Sequence, residues 1–494
     1  DASADAASDA ADATPPGLTF WIADDGDDAA DGSESAPFAT FSHAIAQLAP
    51  GDTLVVKAGS TFGRMSYDCL NNSCDGEPCP SGERGRPITV RAETPRSVEL
   101  TALEEALVVR QCSHVVIDGF EAHQRDEEST DFATIGLVTD ADHVVLRNML
   151  FHTLNRWPNG HVVFLTRSSH IVLEDSEIYD FHRGAVIIDA SEHVTARRLY
   201  VNGRGTPNLP EPAFNCCCLE DADYGMWING SFDVSIENVI VERVCEPFVV
   251  IAQEEDLGQD RAATGNRILG SISLQSRYAG FGARSYCEDA DPCPEINHVE
   301  DLEIIDSVAI DASDAVHMNG VENVLVRNFT SVDIRDDAYV FRVGDENAAI
   351  DDSSFLVVNA LDVGTGDLGY LIENHDEGTI LSSNTSGIVD ELDPMFTPMG
   401  LGSADPALGG CRVYVPDASS MRGAGAGGAD IGARIVTRYV DGTLTDEPLW
   451  DPSTGAFPCG AIVDGVNDEA TFPDATCSTV HERLNVGTGG CAVP

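Results

Sequence analysis

Apolar residues recur along this chain with a period of two, in short β-branched runs that open on the same kind of polar pair. Ser113-His114-Val115-Val116-Ile117 is followed by Asp142-His143-Val144-Val145-Leu146, Ser169-His170-Ile171-Val172-Leu173 and Glu192-His193-Val194-Thr195-Ala196. Phe232-Asp233-Val234-Ser235-Ile236 and Glu322-Asn323-Val324-Leu325-Val326 continue the series. A second set of strands interleaves with it, each starting on a small residue or a proline: Ala133-Thr134-Ile135, Gly160-His161-Val162, Gly184-Ala185-Val186, Gly225-Met226-Trp227, Pro247-Phe248-Val249, then Gly280-Phe281, Ala315-Val316, Ala338-Tyr339 and Gly369-Tyr370. Starts lie roughly 22 to 41 residues apart. Two strand families alternating at that spacing predict a coil that stacks on itself, one turn pairing with the next at about 4.8 Å. A period of two excludes a helical bundle. The longer spacings mark loops inserted at one corner, such as 204–224, where a rigid rod carries its function.

The ends of the chain complete this picture. Ala36-Pro37-Phe38-Ala39-Thr40-Phe41-Ser42-His43-Ala44-Ile45 reads as a capping helix, followed by a Pro50-Gly51-Asp52 turn and a strand over 53–57. Such a helix shields the otherwise open edge of the first turn. The segment Asp31-Gly32-Ser33 … Ala36-Pro37-Phe38-Ala39-Thr40 … Pro50-Gly51-Asp52-Thr53-Leu54-Val55-Val56 … Gly59, with Gly85-Arg86-Pro87-Ile88-Thr89-Val90-Arg91-Ala92 after it, resembles the opening of pectate-lyase-like proteins, in the form common in the chondroitinase B and alginate lyase branch. The resemblance spans about residues 18–390. It implies an all-β chain folded as a right-handed parallel β-helix. Lyases, hydrolases, epimerases, adhesins and inert surface proteins share that opening, so it implies no single activity. Residues 1–16 read as a flexible acidic tether, 17–392 as the β-helix, and 393–494 as a loop-rich, cysteine-containing C-terminal cap.

Charge and cysteines narrow the setting. The chain has 494 residues and a net charge of −55, which disfavours nucleic acid as a partner because phosphate binding needs a cationic surface. No run of apolar residues is long enough to span a bilayer. The 14 cysteines fall in even local groups outside any CxxC pattern, which predicts disulfides and an oxidising compartment. Cys216-Cys217-Cys218 keeps a soft-metal reading open beside that one. The Asp/Ala/Ser tether is of the kind that follows the acylated cysteine of bacterial lipoproteins. Together these predict a secreted or cell-surface protein, with lipid anchoring as one form of the latter.

Candidate chemistry concentrates where the acidity lapses. Between Arg147 and Arg204 there are seven arginines against six acidic residues, together with five of the 13 histidines. An acidic extracellular glycan can approach there. His114, His143, His170 and His193 share one repeat phase and read as a stacked ladder at a corner, engaged in turn hydrogen bonding. His161, His182, Arg183 and Tyr224 break the repeat on successive turns. β-Elimination of a uronan needs a cation at the carboxylate, a base for the C5 proton and an acid for the leaving oxygen. Arg156, Arg183 or a bound Ca²⁺ suits the first need, His161 or His182 the second, and Tyr224 the third. Trp227 offers a stacking face if it points outward and is core if it points inward. Arg204, His317, Asn319 and Arg335 are the expected substrate-binding residues on neighbouring turns. Asp336-Asp337 faintly resembles the aspartate pair of polygalacturonases, whose companion motifs are missing here. The acidic run Asp24, Asp25, Asp27, Asp28 and Asp31 lacks EF-hand spacing and reads as turn residues. The alternative to an enzyme is a non-catalytic adhesin or a structural envelope or filament protein capable of self-association.

Overall fold

The computed structural model describes residues 17–68, 80–125, 134–152, 161–181, 183–203, 222–253, 262–286, 298–342, 354–364, 370–373, 379–383, 408–458, 477–487 and 491–492. The chain winds repeatedly through three long sheets, all of whose strand pairs are parallel. In one turn Ser113–Asp118 belongs to a first, 13-stranded sheet, Glu121–Gln124 to a second sheet of 11 strands and Thr134–Thr139 to a third sheet of 11. Asp142–Arg147 then returns to the first sheet, with Val144 beside Val115 and Leu146 beside Ile117. The chain is a right-handed parallel β-helix, the hand expected of parallel crossovers.

The alternation read in the sequence is what fills the coil. Val115, Ile117, Val144, Leu146, Ile171, Leu173, Val194 and Ala196 point inward and are fully buried. Each buried aliphatic side chain contributes about 1.5–3 kcal/mol relative to exposure. Corners need a residue in the left-handed region, and Asn148, Asp175 and Asn238 supply it at φ 54°, 50° and 51°. At the corner between the third and first sheets, serines close the buried polar groups. Ala141 N donates to Ser168 Oγ, Ser168 N to Ser191 Oγ and Ser191 N to Ser231 Oγ, at 3.1, 3.1 and 3.0 Å. Arg96, fully buried, pairs with Glu177 inside another corner.

The predicted capping helix is Phe41–Ala46, with the Thr40 hydroxyl accepting from His43 N and with Phe41, Ala44 and Ile45 buried against the first turn. Near the other end of the sequence, residues 408–458 and 477–487 lie along the flank of the second sheet. Leu150, Tyr179, Tyr200, Ile240, Ile272 and Val308 of the coil form one apolar cluster with Val413, Ile435, Leu449, Trp450, Phe457 and Leu484. A disulfide joins Cys411 to Cys491. Cys112, Cys245 and Cys477 are also disulfide-bonded. Among the described residues no helix is long and apolar enough to cross a membrane. The proposed tether lies outside them.

Candidate active site

The third sheet collects the residues that break the repeat. His161–Thr166 and Tyr224–Asn229 place their second and third residues inward in succession, so the first and fourth face out of the coil; on Gly184–Asp189 and Asp314–Asn319 those positions are buried as well. Register carries the first position from Thr134 through His161, Gly184, Tyr224 and Glu246, and after Ala279 to Asp314. The fourth position runs Phe164, Ile187, Trp227, Val249, Gly282, His317. Residues more than 150 positions apart in sequence thus line one outer face.

Trp227 points outward, between Ile187 and Val249, and is half-buried. Its ring stands 4.6 Å from that of Tyr224 and 6.3 Å from the His161 imidazole. The Arg183 guanidinium lies 6.0 Å from the Tyr224 ring centre and 3.9 Å from the Asp223 carboxylate. Burial and the Arg183 charge push the His161 pKa down from 6.5 to about 4, so its ring is neutral at neutral pH.

Past Tyr224 the face becomes a dense polar cluster. Arg284 runs back along it and donates from Nη1 to both Glu246 oxygens, at 2.8 and 3.0 Å, and from Nη2 to the Tyr224 hydroxyl at 3.3 Å. Burial disfavours the guanidinium charge, but the Glu246 carboxylate more than offsets this and raises the Arg284 pKa; the Tyr278 hydroxyl adds to the same field. Burial, reinforced by Glu246, also raises the Tyr224 pKa, so its phenol keeps its proton. On the far side of Gly282, His317 Nδ1 stands 2.9 Å from Asp314 Oδ2 and its Nε2 3.5 Å from the hydroxyl of Tyr278, whose side chain is 37% exposed. Asp314 is fixed in turn by Asp337 N, which donates to Oδ1 at 3.3 Å. A Cβ built on Gly282 would meet nothing nearer than 3.8 Å, so the position between the two groups carries no side chain and tolerates a methyl.

The expected residues are therefore brought together in part. His161, Arg183, Tyr224 and Trp227 form one patch. His317 joins a second, and Asn319 stands beside Arg284 in register. Arg335 is held at the adjoining corner by Asp311, 3.6 Å away, and by the Ser276 carbonyl. Arg156, His182 and Arg204 lie outside the described residues. Sequence reading missed Glu246, Tyr278, Arg284 and Asp314. Glu246 and Asp314 were findable, since each immediately precedes a quoted strand, Pro247-Phe248 or Ala315-Val316, in the phase of Tyr224. Arg284 and Tyr278 carried no such signal.

The donor set does not suit Ca²⁺ here. Ca²⁺ takes oxygen ligands almost exclusively, yet Glu246, Asp314 and Asp223 each face a cation or an imidazole. Among the described residues, each of the three groups with metal-ligating geometry includes a histidine. The acidic run near the start is occupied in turns: Asp28 accepts from Ala39 N and Thr40 N, Asp31 from Ser33 N and Asp24 from Thr61 N.

No family model matches the chain, and no curated protein matches it. Solved structures do. A rhamnogalacturonan lyase is similar over 76% of this chain and 90% of its own, at 16% identity and a TM-score of 0.48. A pectate lyase is similar over 85% and 97%, at 13% identity and 0.46. An alginate lyase from a Paenibacillus species is similar over 75% and 99%, at 15% identity and 0.38. Each is a likeness of backbone winding and assigns no residue a role.

Proposed function

We propose that this chain cleaves an extracellular uronic-acid polysaccharide by β-elimination on the outer face of the third sheet. The observation that carries the reading is the arrangement of Asp314, His317 and Tyr278 on one side of Gly282 and Arg284, Glu246 and Tyr224 on the other, along the same outward rows. Arg284, held by Glu246, has guanidinium N–H groups left to meet a sugar carboxylate, and Arg183 adds charge along the same face. Neutralising that carboxylate acidifies the C5 hydrogen. His317 Nε2, oriented by Asp314 at Nδ1, takes the proton. The C5–H electron pair becomes the C4=C5 double bond, and the bond from C4 to the glycosidic oxygen breaks. Tyr278, whose hydroxyl lies 3.5 Å from His317 Nε2, gives its proton to the departing oxygen. Trp227, half-buried and facing out, stacks on a neighbouring sugar. This moves the base from His161 to His317: an imidazole pushed down to about 4 takes up protons poorly at neutral pH.

The disulfides fit a protein working at or beyond the cell surface. The test is incubation with a panel of 4-linked uronans while the ultraviolet absorbance of the unsaturated product is followed. Turnover of at least one uronan is expected, falling about 10²–10⁴-fold in His317→Ala. Retention of a glycan without any new absorbance, across the whole panel, would instead make the protein a binding module.

A further inference from the structure

The first sheet carries an edge that the glycan site does not use. His114, His143, His170 and His193, each the second residue of its strand, adopt the left-handed conformation, and the row continues just ahead of the later strands through Asp233, Gly265, Asp301 and Asn323, at φ between 52° and 68°. Its members are linked rung to rung. His193 N donates to Phe232 O, Asp233 N to Thr264 O, Gly265 N to Glu300 O and Asp301 N to Glu322 O. Backbone geometry asks only for a residue that tolerates positive φ, and Asp, Gly and Asn meet it over the later turns. Four successive histidines exceed that requirement.

Their side chains form a continuous stack. Ring centres are 4.5 Å apart for His114 and His143, 4.4 Å for His143 and His170, and 4.9 Å for His170 and His193. Asp142 lies in the middle: its Oδ2 is 2.6 Å from His143 Nδ1 and its Oδ1 is 3.1 Å from His170 Nδ1. Ser169 Oγ donates to the same carboxylate at 2.6 Å and holds it in place. The three side chains remain 45–48% exposed, so an ion can reach them. One ligand atom from each lies within 4.8 Å of the other two. Two neutral imidazoles and one carboxylate around an open position suit a borderline divalent ion such as Zn²⁺. The surrounding field of a chain at −55 concentrates cations at its surface.

We infer that Asp142, His143 and His170 form a transition-metal site on the outside of the coil, separate from the glycan-facing sheet. The ion replaces the imidazole protons now directed at Asp142, and water completes its shell. His114 and His193 flank the site as further imidazole donors.

Zn²⁺ titrated calorimetrically into the whole protein at neutral pH tests this. His143→Ala and His170→Ala should each bind one Zn²⁺ fewer than the parent. Asp142→Asn should weaken that step about 10- to 100-fold. Excess Ca²⁺ should not displace the ion, and uronan turnover should be unchanged in all three variants. Equal Zn²⁺ stoichiometry in parent and histidine variants would overturn the assignment, as would failure of the parent to bind Zn²⁺. Because the residues are surface-exposed the variants should fold, and a circular dichroism melt matched to the parent confirms it.

Discussion

His161 and His317 are imidazoles on the same sheet, yet their surroundings set them to different work. His161 sits behind Trp227 with Arg183 nearby, and both burial and that charge favour the neutral ring. Its folded pKa of about 4 lies below the 6.5 of a free imidazole. Between those values the unfolded chain holds the extra proton, so stability rises with pH across that window and falls as the pH drops from 6.5 towards 4. Above 6.5 the group contributes no slope. His161→Gln should flatten the dependence of the urea midpoint on pH between about 4 and 6.5 and leave it unaltered at higher pH. An unchanged slope in the variant would show that His161 is not the group being titrated. At His317 the demand is for position: Asp314→Asn should keep the fold but let the ring turn, with kcat falling about 10²-fold while KM holds. The sequence made His161 conspicuous because it interrupts a pattern. It left His317 among weaker candidates, because the Tyr278 that completes its surroundings comes from a different turn.

At the scale of strands, the third sheet contains two glycines with opposite duties. Gly225 faces inward, and a Cβ there would lie 2.5 Å from Val241 Cγ1 and 2.6 Å from the Pro247 carbonyl oxygen. Gly282 faces outward in the row of Trp227 and His317, where a Cβ would make only ordinary contacts at 3.8–3.9 Å. Gly225→Ala should therefore lower stability by about 1–3 kcal/mol through overpacking. Gly282→Leu should cut turnover about 100-fold by filling the space between Arg284 and His317. A Gly282→Leu enzyme as active as its parent would place the reaction elsewhere on the rod. Period-two patterning made the strand families legible in the sequence, because each inward row is a run of aliphatic residues that had to recur. The second sheet was harder to read. Its three-residue strands, such as Leu150–His152 and Glu177–Tyr179, are buried on both faces, so they show no alternation. The reason is the C-terminal segment packed over them, whose loop-rich sequence gave no sign of which surface it covers.

At the scale of the molecule, that covering segment is tied down by polar contacts as well as apolar ones. Glu242 is fully buried and accepts from Tyr200 Oη at 2.7 Å and from Arg483 Nη2 at 2.5 Å. Arg483→Met would leave the buried carboxylate with only the more distant Arg243, 3.8 Å away, as a cation, costing up to about 3–5 kcal/mol. Charge acts over a longer range. A chain at −55 repels a polyuronate before any arginine can engage it, and at low ionic strength that repulsion reaches tens of ångströms. Raising the salt from about 0.01 to 0.15 M shortens the screening length from about 30 to 8 Å. The contact between Arg284 and a sugar carboxylate, made inside a half-buried cluster, is screened far less. The proposed reaction should thus run against the usual trend for charged partners: kcat/KM on a polyuronate rises with salt over this range, while kcat stays level. Salt should raise the melting temperature over the same range by relieving self-repulsion. A kcat/KM that fell steadily with added salt would mean that substrate is drawn in by a basic surface, and the described outer face of the third sheet, with Glu246, Asp223 and Asp314 among its arginines, is not one.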